Sequence, residues 1–343
     1  MISIQQRVSS FSSLGQVFEV AASGAENSLG ILAESVKSHN GWFTPENVRF
    51  AYKQWSELLK KNLLNDWLKP YGFSETNPRT VGIIMAGNIP LVGLHDLMCV
   101  VLSGNKALVK CSSKDTVLMT EIIEILLKIE PQLESCIQIE QATLKNFDAI
   151  IATGSDNSSR YFDYYFGKYP HIIRKNRTSV AIIEGKETLE ELNLLGWDIF
   201  RYFGLGCRSV TKLYVPENYD FTSFFEAISN FRFVLEHTKY SNNYEYNKAI
   251  FLLNKTVHLD NGFLLLTEDT KLFTPAGLLH FETYQNQLDL EEKLKKQSVF
   301  IQCRLANKIN IEASIPFGSS QTPGLNHFAD GVNTLEFLKS LPQ

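Results

Sequence analysis

Through the first 70 residues apolar positions recur at three-to-four spacing. Val48, Tyr52, Trp55 and the Leu58-Leu59 pair fall on one face of a helix. The pattern predicts an N-terminal helical region interrupted between Gly41 and Pro45. From about residue 80 short apolar runs alternate with longer amphipathic ones. The spacing predicts strands at 81–86, 106–110, 136–139, 147–152 and 179–183, and helices at 91–102, 116–129, 155–165 and 189–203. Pro90 suits the start of the first of these helices, because its missing N–H would lack a partner there in any case. Such alternation implies βαβ units and a mostly parallel sheet, whose ligands bind at the carboxyl ends of the strands. Three turns at such ends carry unusual residues: Gly87-Asn88, Cys111-Ser112-Ser113 and Gly154-Ser155.

A second series begins after Cys207. It predicts a strand at 210–215, an aromatic-rich helix at 221–237 and strands at 250–253, 278–281 and 299–303, and so a smaller α/β unit. From Ile315 the chain reads as loop and then briefly as helix. The expected organisation is an N-terminal helical region (1–75), a dinucleotide-binding domain (76–205, with 316–343 packing back onto it) and a catalytic domain (206–315). Phe221, Phe224, Phe225, Phe231, Phe233, Tyr240, Tyr244 and Tyr246 read first as core and second as the lining of an acyl tunnel.

Composition narrows the class. The 343 residues are 44% hydrophobic and 20% charged, with a net charge of -4 and no basic stripe, which argues against nucleic acid as a partner. The most apolar window, 81–104, is broken by Asn88, Pro90, His95 and Asp96 and reads as buried strand and helix rather than a membrane span. The polar N-terminus lacks a signal-peptide core. Five widely spaced cysteines without a CxxC pair, and seven scattered histidines, fit neither a disulfide framework nor a metal site. The expectation is a cytoplasmic protein without a metal.

One cysteine stands apart. Cys207 lies in Gly204-Leu205-Gly206-Cys207-Arg208-Ser209, between a predicted helix and a predicted strand. Flanking glycines permit a sharp turn that opens the sulfur to a substrate, and Arg208 could favour the thiolate. A small buried hydrophobe is the competing reading.

Further motifs follow in a telling order. They are Gly87-Asn88-Ile89-Pro90-Leu91, then SGNKALVKCSSKD from Ser103 to Asp115, then Ala152-Thr153-Gly154-Ser155, then Gly204-Leu205-Gly206-Cys207, then Pro316-Phe317-Gly318-Ser319. In sequence they resemble the PWNFP, AGNxVVLKPSE, TGS, GQxC and PFGG segments of the aldehyde dehydrogenase superfamily. The closest resemblance is to the LuxC-type acyl-CoA reductases, which supply fatty aldehyde in bacterial bioluminescence. It implies an aldehyde dehydrogenase-like α/β fold with a Rossmann-type cofactor domain, a smaller α/β catalytic domain and N-terminal helices.

The resemblance also implies roles. Cys207 is the nucleophile, and Asn88 is a side-chain donor to the oxyanion, with the backbone N–H of Cys207 as the second donor. Lys110 holds the adenosine ribose, with Ser112 and Ser113 on the same loop, and Gly154 and Ser155 present a helix N-terminus to the cofactor phosphates. Where members preferring NAD often carry a glutamate, this chain has Ser113 followed by Lys114, which favours NADPH, with NADH as the alternative. The glutamate that serves water attack in aldehyde-oxidising members has no counterpart in Ile173-Arg174-Lys175-Asn176-Arg177, and Glu184 lies elsewhere in the alignment. The implied reaction is reduction of an acyl-CoA or related thioester to the aldehyde. An acyl-transferring synthetase subunit and self-association are the implied partners. The alternatives are a CoA-acylating short-chain aldehyde dehydrogenase, an acyl-phosphate reductase, and a non-catalytic paralogue serving as a complex subunit.

Overall fold

The computed structural model describes residues 2–24, 27–73, 77–154, 156–309 and 311–341. The N-terminal periodicity folds as α1 (Ile4–Ala22), α2 (Ser28–Ser35), α3 (Pro45–Leu58) and α4 (Lys61–Leu68). Local signals start them. Ser3 and Gln6 form a reciprocal capping box on α1, and Thr44 caps α3 with Pro45 in its first turn. Phe11, Leu14, Phe18, Val48 and Tyr52 are fully buried, with Phe18 stacked on Tyr52.

Next come β1 (Thr80–Ile84), α5 (Leu94–Leu102), β2 (Lys106–Lys110), α6 (Thr116–Ile129), β3 (Ile137–Ile139), β4 (Ala149–Thr153), α7 (Asp156–Phe166) and β5 (His171–Arg174). The five strands make a parallel sheet in the order β3-β2-β1-β4-β5. The order reverses between β1 and β4, the point at which open α/β sheets bind ligands. Val81, Ile83, Val109 and Ile151 share one core with the N-terminal helices, so those helices are part of this unit.

The rest comprises β6 (Thr178–Ile182), α8 (Leu189–Phe200), β7 (Val210–Pro216), α9 (Thr222–Ala227), α10 (Thr238–Asn254), β8 (Leu259–Asp260), β9 (Leu265–Glu268), β10 (Leu278–Tyr284), α11 (Gln287–Lys296), β11 (Ile301–Leu305), β12 (Ser314–Ile315) and α12 (Thr334–Lys339). A seven-stranded sheet runs β12-β11-β6-β7-β10-β9-β8, parallel except for the β8–β9 pair. The chain separates into two compact units, one of residues 1–176 with 324–343 and one of residues 177–323. The boundary thus falls about 30 residues before the expected 205, because β6 pairs with β7 and β11. Of the C-terminal segment, residues 324–343 belong to the first unit and 316–323 to the second.

Three local expectations are corrected. Residues 250–253 are helical, lying in the last turns of α10, and Leu252 and Leu253 are exposed. Their apolar run imitates a strand, but Lys255 in the left-handed conformation ends a continuous helix. The helix expected from Leu91 begins at Leu94, because Leu91 itself has φ +60°. The long helix at 221–237 breaks after Ala227 into a 3-10 stretch, Ser229–Glu236. The aromatic cluster is mixed: Phe224, Phe231 and Tyr240 are core, whereas Phe233 and Tyr246 are exposed. No helix among the described residues is long and apolar enough to cross a membrane.

Candidate active site

In the first unit, three turns leave the carboxyl ends of adjacent strands. Ile84 pairs with Lys110 on one side and Ala152 on the other, so the segments after β1, β2 and β4 start side by side. Gly87 is there for want of space: a Cβ would meet Ser112 Oγ at 2.6 Å and Asp115 Cβ at 3.0 Å. The Asn88 turn and the Ser112 turn are therefore packed against each other. Lys110, half-buried at the end of β2, donates from Nζ to the Ala142 carbonyl at 3.0 Å. Ser112 accepts from the Lys114 N–H at 3.3 Å, and Thr116 donates to the Ser112 carbonyl. Gly154 packs tightly on α7, since a Cβ would meet Ser158 and Phe162 at 2.8 Å. Ser155 lies outside the described residues.

Asp115 is the residue that the sequence pattern did not single out here. It is buried, and one carboxylate oxygen accepts the Leu91 N–H at 3.0 Å, while the other has no hydrogen-bond partner among the described residues. A left-handed leucine costs about 1–2 kcal/mol, and this bond helps to hold it. Burial lifts the Asp115 carboxyl to about 8, against the opposing effect of the Leu91 N–H. Its neighbours Tyr52 and Cys111 are themselves pushed up, chiefly by burial and further by Asp115. A carboxyl raised on folding gives its full stability below its unfolded value and loses it as pH rises through the folded one. Asp115→Asn keeps an acceptor for Leu91 and cannot ionise. Thermal melts at pH 5 and pH 9 should therefore show the variant gaining on the wild type at the higher pH. The gain should be on the order of a few kcal/mol at most. An unchanged difference between the two pH values would remove this role.

In the second unit, α8 ends at Phe200 and the chain turns through three left-handed residues, Tyr202, Phe203 and Gly204. Cys207 follows in a tight turn closed by the Ser209 N–H on the Gly206 carbonyl at 2.9 Å, and β7 begins at Val210. The Cys207 side chain is half-buried. Its carbonyl accepts from Ser179 Oγ on β6 at 3.0 Å. The guanidinium of Arg208 donates to Cys303 Sγ on β11 at 3.2 Å.

A second buried carboxylate fixes the turn from the other side. Asp198 on α8 is fully buried and accepts from the Gly318 N–H, the Ser320 N–H and Ser320 Oγ. Gln321, next in the same loop, donates to Ser209 Oγ at 3.3 Å, and Ser209 Oγ accepts from the Gly206 N–H. The Pro316-Phe317-Gly318-Ser319 loop is thus joined to the Cys207 turn through hydrogen bonds within one unit. Burial lifts the Asp198 carboxyl to about 6, while its bonds to Ser320 and Gly318 pull it down. Asp198 carried a signal in the sequence: it is the acidic member of the buried stripe Leu192, Leu195, Ile199.

A model of the LuxC acyl-CoA reductase family matches residues 28–231. The chain belongs to the LuxC acyl-CoA reductase family. A long-chain acyl-protein thioester reductase of Aliivibrio fischeri is 23% identical over 176 residues, an alignment covering 46% of this chain and 36% of that protein. The chain thus spans little more than a third of the curated relative's length. Among solved structures, aldehyde dehydrogenase 21 of Physcomitrella patens, in complex with succinate, superposes with a TM-score of 0.69 at 11% identity. That match covers 98% of this chain and 84% of that one. An NADP-dependent enzyme of E. coli gives 0.67 at 11% identity, covering 91% and 75%. These likenesses establish the aldehyde dehydrogenase fold.

Residues 173–177 contain no carboxylate, and Arg174 within them is buried in an ion pair with Asp96. Glu184 lies beyond the far end of β6 from Ser179, the residue bonded to Cys207. Four residues lie between the two, three of them in β6.

Proposed function

We propose that the protein reduces an acyl-CoA, or a related acyl thioester of fatty type, to the aldehyde through an acyl group carried on Cys207. The observation that carries this reading is the turn of Cys207, held by Ser179 and Ser209, in a chain of the LuxC family. The Cys207 thiolate attacks the thioester carbonyl carbon, the bond from that carbon to the donor's sulfur breaks, and the donor leaves as its thiolate. The oxyanion formed in that step needs aimed donors, a role the reading gives to the backbone N–H of Cys207 and to the Asn88 amide. With no carboxylate in residues 173–177 to activate water, hydrolysis of the acyl-enzyme loses about two to four orders of magnitude.

The turns beyond β1, β2 and β4 fit a dinucleotide. Gly87 lets the Asn88 and Ser112 turns pack together, Lys110 stands at a strand end, and Gly154 lies just before α7. In this reading Lys110, Ser112, Ser113, Gly154 and Ser155 hold the cofactor. A reduced nicotinamide held there would supply the hydride that the reduction needs. Ser113 and Lys114, in place of a carboxylate, favour the 2′-phosphate of NADPH over NADH.

The test is oxidation of NADPH, and separately of NADH, over a series of acyl-CoA chain lengths. NADPH should be preferred, and Ser113→Glu should shift the preference towards NADH. A wild-type preference for NADH would overturn the argument from Ser113. Binding of NADPH without turnover of any acyl-CoA would make the donor another thioester, such as an acyl-protein. Loss of both would defeat the reductase reading.

A further inference from the structure

The five cysteines are all free, and they differ in surroundings. Cys99 and Cys136 are buried in the first unit's core, and burial pushes the Cys99 thiol well up. Burial likewise pushes Cys111 up to about 11. Cys207 and Cys303 are a different case, because one side chain joins their backbones. Ser179 Oγ donates to the Cys207 carbonyl at 3.0 Å and accepts the Cys303 N–H at 3.1 Å. The next residue after Cys207 then reaches across to the second sulfur: Arg208 Nη1 lies 3.2 Å from Cys303 Sγ.

We propose that Cys303 is the resolving thiol of Cys207, the two forming a site of reversible oxidation by hydroperoxides. The proposal rests on the reading of Cys207 as a reactive thiol. Cys303 is 8% exposed whereas Cys207 is half-buried, so an oxidant from solution meets Cys207 first. The Cys207 thiolate attacks a peroxide oxygen; the O–O bond breaks, an alcohol or water leaves, and Cys207 becomes the sulfenic acid. The Cys303 sulfur then attacks the Cys207 sulfur. The S–S bond forms, the S–O bond breaks, and the hydroxide leaves as water with the thiol proton.

The local backbone suits this step. A disulfide needs its two Cα atoms within about 4.4–6.8 Å, and the contacts through Ser179 and Arg208 keep the Cys207 turn beside β11. Ser179 Oγ bonds the backbones of both residues, and Gly204 (φ +77°) and Gly206 precede Cys207 in the turn. Cys303 itself lies in the register irregularity between Ile301 and Arg304, where a bulge frees a strand residue from regular pairing. The outcome is that the nucleophile is stored as a disulfide, which a dithiol restores. Without it the sulfenic acid would proceed to sulfinic acid, which a dithiol does not restore.

The experiment treats the full chain with hydrogen peroxide, then alkylates and maps the peptides by mass. The expected result in the wild type is a peptide joined through Cys207 and Cys303, lost on treatment with dithiothreitol. Cys303→Ser should lose that peptide and accumulate sulfinic acid at Cys207, and Cys303→Ala should behave alike. A wild type that forms sulfinic acid at Cys207 as fast as the variants, with no joined peptide, overturns the pairing and leaves Cys207 a reactive thiol. A Cys207 that neither oxidises nor alkylates overturns the pairing together with the nucleophile reading. The wild-type map needs no variant, so a failure of either substitution to fold leaves the test intact.

Discussion

Cys207→Ala is expected to lower thioester-dependent oxidation of NADPH by at least about four orders of magnitude while leaving cofactor binding intact. The substitution removes one sulfur from a half-buried position, and the bonds that shape the turn are made by other atoms. The Cys207 carbonyl keeps its bond from Ser179, Gly206 keeps its bond with Ser209, and Ser209 keeps its bond from Gln321. A fold that survives unchanged makes the loss of rate a loss of chemistry. Cys303→Ala supplies the matched control, since it deletes a sulfur from the same neighbourhood and should retain most of the rate. The measurement is steady-state turnover with an acyl-CoA, beside a fluorescence titration of NADPH. Activity within tenfold of wild type in Cys207→Ala would mean that the acyl group is never carried on this residue.

How much of this could be read from the sequence depended on whether the determining contact was near in the chain. The strands β1, β2, β4 and β7 were legible because each is a short apolar run between turn residues, and a parallel sheet buries such runs on both faces. The turns after them were legible because glycine, asparagine and serine at those positions are local choices. What escaped was set by distant partners. Leu91 reads as the first residue of a helix, and it is left-handed because Asp115, 24 residues away, accepts its N–H. Cys303 reads as a strand residue, and only the register of β11 against β6 puts it beside Arg208 and Ser179. The strands β5 and β9 are four residues each, too short to show a period. Residues 250–253 show the opposite failure, in which a genuine apolar run is overruled by the helix that contains it.

Arg174→Met is expected to be the most destabilising single change in the first unit, by about 3–5 kcal/mol. Arg174 ends β5 with its guanidinium almost wholly enclosed. It pairs with Asp96 of α5 and donates to Thr334 Oγ1 of α12 at 3.0 Å, so one side chain ties a strand end to two helices. Both members of the ion pair are under 10% exposed, which means that water cannot replace the lost partner. The cost is the charge left behind on Asp96 rather than the attraction lost. Denaturant unfolding can separate these. Arg174→Met alone should lower the midpoint sharply, whereas Arg174→Met combined with Asp96→Leu should recover much of the loss, because no buried charge is left unpaired. Failure of the double variant to recover would assign the cost to packing and to Thr334 instead. The same geometry bears on the chemistry. Residues 173–177 contain no carboxylate, and Arg174 within them is committed to a buried clamp. A glutamate substituted for Arg174 would face Asp96 with like charge. Arg174→Glu should therefore fail to accumulate as folded protein rather than gain hydrolysis, a result that soluble expression and the far-UV spectrum would show directly.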